Sequence, residues 1–109
     1  VFDISKFAKF YDFYKNFKNI KIIAGIYILK SAKTARYMNR SIPGIYIGDN
    51  IINELEKAND PLQKGIEIAA RTAKQLESLV HGIHVMAYGI EDKIPLFFDL
   101  LSDKTVTKN

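Results

Sequence analysis

The chain holds no cysteine, which excludes disulfide staples and thiolate metal sites and fits a protein of the reducing cytosol. It also lacks any apolar run approaching the roughly 18 residues that a membrane span needs. The opening stretch, Val1 to Lys18, carries charges at regular intervals where a signal peptide would place an apolar core. A cytoplasmic location with no membrane partner is the expectation. A glycine-rich phosphate loop is missing as well, and no internal repeat stands out.

What is present is a chain of 109 residues, 48% hydrophobic and 26% charged, the balance of a soluble globular unit of one domain or less. Its formal net charge is +4, and the basic excess sits in residues 1 to 50. Lys6, Lys9, Lys15 and Lys18 fall on the polar side of an amphipathic pattern, as a solvated helix face does. No nucleic-acid motif accompanies them, so no nucleic-acid partner is expected.

Phe7, Phe10, Tyr11, Tyr14 and Phe17 recur at helical spacing behind Asp3 or Ser5, either of which can cap the first turn, and Asn19 ends this outer helix. Ile20 to Leu29 is almost continuously apolar and β-branched, the pattern of a parallel strand buried on both faces. Gly25 in its middle leaves room for a bend or for a closely approaching group. Ser31 can cap a helix over Ala32 to Asn39. Pro43, Gly44 and Gly48 mark a loop, Asp49 opens a short helix to Ala58, and Asp60-Pro61 opens another. In this last helix Leu62, Ile66, Ala69, Ala73, Leu76 and Val80 form one apolar stripe. Gly82 to Tyr88 reads as a second doubly buried strand, with His84 as a hydrogen-bonded core residue in preference to a proton-transfer group. Glu91 to Leu101 is the closing helix, its apolar side formed by Ile94, Phe97, Phe98 and Leu101.

Strands separated by long helical stretches imply right-handed βαβ crossovers and a parallel sheet. Two strands leave unpaired edges and bare apolar surface. The expected fold is therefore α/β, two parallel strands with flanking helices, as the C-terminal portion of a (β/α)8 TIM barrel or a sheet completed by another copy of the chain. Residues 1–104 would be the partial barrel and residues 105–109 a polar tail.

Several segments carry a resemblance in sequence order. FDISKF opens the first helix, AGIYIL forms the first strand with LKSAKTARYMN behind it, IPG makes the turn, DPLQKGIEIA starts the long helix, and GIHVMAYG forms the second strand. Together they resemble the last part of a methylenetetrahydrofolate reductase barrel. The resemblance implies a flavoprotein oxidoreductase of one-carbon metabolism and methionine biosynthesis. FAD at the strand ends takes a hydride from NADH or NADPH and reduces the folate substrate 5,10-methylenetetrahydrofolate to 5-methyltetrahydrofolate. It also implies substrate-contacting positions at Met86, Tyr88 and Ile90, a lid at Tyr46, and Lys30 and Ser31 at the strand exit nearer the cofactor. For Tyr88 a rim-packing role stands beside the binding one.

The chain departs from the family where Ile28 stands in place of a proline common among relatives, and where IYIGDN follows the IPG turn, leaving Tyr46 as the candidate lid. The family's Thr-Gln pair, its acidic group near the first strand and most FAD contacts would lie before Val1. No catalytic residue is therefore expected within the chain, the isolated piece is expected to be inactive without the missing N-terminal barrel part, and the complete protein is expected to be a homo-oligomer. A competing reading is a small non-catalytic α/β module that binds an anionic or phosphorylated partner at the Ser31 helix start, near Lys30, Lys33, Arg36 and Arg40. A scaffold assembling through its exposed strands is the third.

Overall fold

A computed structural model describes residues 1–16 and 21–102. Asp3, and not Ser5, caps the first helix: its carboxylate accepts from the Lys6 amide at 3.1 Å, and helix α1 runs Ile4–Tyr14. The expected stop at Asn19 lies outside the described residues, as does the tail at 105–109.

Strand β1 is Ile23–Tyr27 and β2 is Gly82–Met86, both shorter than the apolar runs that contain them. They pair in parallel from Ile23 opposite Gly82 to Tyr27 opposite Met86, with one further rung from the Ile28 amide to the Met86 carbonyl. At the entry, the Ile22 amide donates to His81 Nδ1 at 2.9 Å, and the His81 amide donates back to the Ile22 carbonyl. The imidazole thus acts as a strand partner where the ladder has not yet begun.

Between the strands lie α2 (Ala32–Ser41), α3 (Asp49–Lys57) and α4 (Pro61–Leu76); a short 3-10 turn (Glu91–Lys93) and α5 (Ile94–Ser102) follow β2. Ser31 and Asp60 cap α2 and α4 through the amides of Thr34 and Gln63, each at 3.1 Å. Pro61 occupies the first turn of α4, where its missing N–H costs nothing. The single closing helix expected from Glu91 is thus a 3-10 turn followed by an α-helix. Val80, expected at the end of the α4 stripe, falls beyond the helix.

Two apolar clusters hold these elements together. One joins Ala24, Ile26 and Ile28 to Ile66, Ala69, Ala73, Leu76 and Phe97, with Ile83 and Val85 packed against it. The other joins Leu29, Ala35 and Met38 to Ile47, Ile52, Leu55 and Ile68. Helix α4 contributes to both, which is why its buried set is wider than one stripe.

The helices cover only one face of the sheet. Ala24 and Ile26 are buried, yet Ile23, next to Ala24 on the same strand, is 67% exposed, and His84 is exposed as well. The expectation of double burial, and of His84 as a core residue, is therefore corrected: strand alternation turns Ile23, Gly25, Tyr27, His84 and Met86 to the face that no described helix covers. Phe98, expected on the apolar side of the closing helix, is also largely exposed. It stacks on buried Phe97 at 5.1 Å with the ring planes 7° apart.

Candidate functional site

The open sheet face offers a candidate site at the C-terminal ends of the strands. Tyr27 and Met86 are register partners, and the Met86 thioether methyl lies over Gly25, 3.0 Å from where a Cβ would stand. Just beyond the ladder the exposed ring of Tyr88 meets that of Tyr27, with centroids 6.2 Å apart and planes tilted by 48°. Tyr27 thus links the sheet platform to Tyr88, two residues past the end of β2.

A groove of about 410 Å³ opens beside this platform, lined by Lys6, Phe7, Tyr27, Ile42, Tyr46 and Met86, among others. Its far wall is the loop between α2 and α3. There Pro43 and Gly44 occupy the centre of a turn closed by the Ile45 amide on the Ile42 carbonyl, 3.3 Å. Gly44 has φ +84°, the value that the third position of such a Pro-Gly turn demands and that side-chain-bearing residues resist. The turn brings Tyr46, 59% exposed, to the groove.

Further charge lies outside the groove lining, in the segment that follows β2. The Glu91 carboxylate accepts from the Gly89 amide at 3.2 Å. Hydrogen bonds from the backbone at Glu91 itself and at Gly89 hold its pKa below the ordinary glutamate range, and the nearby Lys30 ammonium acts in the same direction. Ser31 is engaged locally: its hydroxyl accepts the Thr34 amide and meets the Thr34 hydroxyl at 3.1 Å.

The sequence-derived candidates therefore separate. Met86 and Tyr46 line one groove, and Tyr88 joins it through Tyr27. Ile90 packs against the helix-covered cluster, and neither Lys30 nor Ser31 lines the groove. Tyr27 was the residue missed. Its signal was the two-residue spacing from Gly25 that puts both on one face, hidden by reading the whole run as buried.

A larger polar cavity, about 670 Å³, lies between the starts of α1 and α3 and the C-terminal part of α4. Its Arg71 is held by both oxygens of Glu54, at 3.1 and 3.2 Å. Among the described residues no helix is long and apolar enough to cross a membrane.

A family model described as methylenetetrahydrofolate reductase matches residues 1–101 of the 109. No curated protein and no solved structure matches the chain.

Proposed function

The chain belongs to the methylenetetrahydrofolate reductase family, and from that premise we propose that it supplies the last βα units of a (β/α)8 barrel that reduces 5,10-methylenetetrahydrofolate to 5-methyltetrahydrofolate with FAD and NADH or NADPH. The observation that carries this reading is the sheet with one face packed by helices and the other open, apolar but for His84. In a closed barrel that second face is the interior, and the chemistry sits at the C-terminal strand ends, where Tyr27, Met86, Tyr88 and Tyr46 gather here.

The family is generally flavin-dependent, and the residues present fit part of such a site. Two tyrosine rings and a thioether offer an apolar platform to one side of a planar ring system. The bound flavin would supply the hydride chemistry, and this chain's share is to orient the folate and exclude water. Met86 and Tyr88 hold the folate from the sheet side, and Tyr46 covers it from the loop. Lys30 would meet an anionic part of the cofactor by exchanging its attraction to Glu91 for that contact. The acid-base group and most of the flavin contacts belong to the preceding strands, so the 109-residue piece is inactive alone.

The anion-binding alternative is weakened at its own site. The Ser31 hydroxyl already satisfies the Thr34 amide, one of those that an anion at this helix start would use.

The deciding experiment is expression of the full reading frame, a visible spectrum of the purified protein, and an assay of methylenetetrahydrofolate reduction with each nicotinamide donor. A copurifying flavin with turnover supports the proposal. A colourless protein that binds phosphate in a salt-sensitive way without flavin preference would return the alternative.

A further inference from the structure

Asn39, near the end of α2, makes both hydrogen bonds of its side-chain amide to a single residue of the loop that follows. Its Nδ2 donates to the Ile47 carbonyl at 2.9 Å, and its Oδ1 accepts from the Ile47 amide at 2.7 Å. Only one orientation of the amide satisfies this pair, because a flipped group would set oxygen against oxygen and N–H against N–H. Ile47 is fully buried in the second apolar cluster. One residue is thereby fixed through its backbone by Asn39 and through its side chain by the core.

The neighbouring residue is Tyr46. With Ile47 pinned inward, at 0% exposure, the residue before it stands outward, 59% exposed and in the groove lining. The Pro43-Gly44 turn fixes the other end of the segment. A lid held in this way loses little freedom when ligand arrives, and such preorganisation shows up in affinity. We propose that Asn39 is a positioning residue: it acts through Ile47 to hold Tyr46 over the folate-binding groove. This rests on the functional reading above for the identity of the ligand, and on the two Asn39–Ile47 hydrogen bonds for the clamp.

The test is a cycle in the full-length enzyme. Asn39→Asp is nearly isosteric and keeps the acceptor for the Ile47 amide, but it sets a carboxylate oxygen against the Ile47 carbonyl. Asn39→Leu removes both bonds. Each should raise KM for methylenetetrahydrofolate about three- to tenfold, the range for freeing one large side chain before binding, with kcat within about twofold. In a Tyr46→Ala background, Asn39→Leu should change KM by no more than about twofold, since the residue it positions is gone. Additive effects on KM, an unchanged KM, or loss of folding in both variants would overturn the proposal and leave Asn39 a structural residue.

A second readout is independent of activity. A tryptophan reporter at Tyr46 (Tyr46→Trp), read as the difference from the parent protein, should become more accessible to acrylamide when Asn39→Leu is added. If the enzyme shows no reductase activity, the functional reading fails and this measurement alone judges the clamp: unchanged quenching overturns it.

Discussion

Gly65 in α4 stands against the backbone of Leu29, so close that a Cβ at position 65 would lie 1.7 Å from the Leu29 carbonyl oxygen. The atom an added Cβ would meet belongs to main chain, which cannot rotate away. It fixes how near the long helix lies to the chain leaving β1, and hence the position of the strand end that carries the site.

Gly65→Ala should therefore destabilise, against the ordinary trend. Alanine in a helix interior is normally favoured over glycine by roughly 0.5–1 kcal/mol. Here the overpacking term of about 1–3 kcal/mol or more reverses the sign. Urea unfolding of the wild-type and variant proteins measures it, and a more stable variant would show that the helix can retreat from Leu29 freely.

Phe97 and Phe98 are stacked neighbours with unequal burial, 0% and 44% exposed. Phe97→Ala empties the centre of the cluster that joins α4 to the sheet and should cost roughly 3–5 kcal/mol, a large part of the usual 5–15 kcal/mol or so of folding stability. Phe98→Ala should cost about 1 kcal/mol, the worth of the ring pair. Equal losses in thermal unfolding would contradict the packing described.

The fold was legible wherever one local signal decided the outcome. Ser31 and Asp60 precede helices and do cap them, and the stripe from Ile66 to Leu76 is the buried side of α4. The parallel pairing followed from two apolar runs with a long helical stretch between them. The open sheet face was not legible, because Ile23, Gly25 and Tyr27 are as apolar as Ala24 and Ile26. Composition records that a face avoids water, not what covers it. In the candidate site, Met86 and Tyr46 were named through the family resemblance, and the structure places both in the lining of one groove. Tyr27 was hidden by the reading of its strand, and Asn39 by the fact that an asparagine near a helix end reads as a stop, while its partner lies eight residues on.

The depressed pKa of Glu91 makes part of the stability pH-dependent. Its largest causes are hydrogen bonds from the backbone at Glu91 and Gly89, with Lys30 adding to them. A carboxyl whose pKa is lower folded than unfolded adds stability above its unfolded value, near about 4.3 for glutamate. That contribution is lost as pH falls through the lower, folded value. In Tm measured against pH, wild type should lead Glu91→Gln above this window and lose that lead within it. Parallel curves for the two proteins would show that the carboxylate is not held by those amides.

Tyr88 tests the site most directly. Its side chain follows β2 at the rim, it is 63% exposed, and the contact that defines its place is the ring of Tyr27, not the helix-covered core. Tyr88→Ala should leave the fold intact, with stability changed by no more than about 0.5 kcal/mol, as at exposed positions. If the ring covers an apolar part of the folate or the nicotinamide, its loss is worth on the order of 1 kcal/mol of binding. KM should then rise about five- to tenfold, with a smaller change in kcat. Tyr27→Ala removes the partner that supports the Tyr88 ring and should raise KM in the same direction, and the double variant should fall short of the sum of the two effects. A Tyr88→Ala protein that unfolds readily but binds substrate normally once folded would assign the residue to rim packing and take it out of the site.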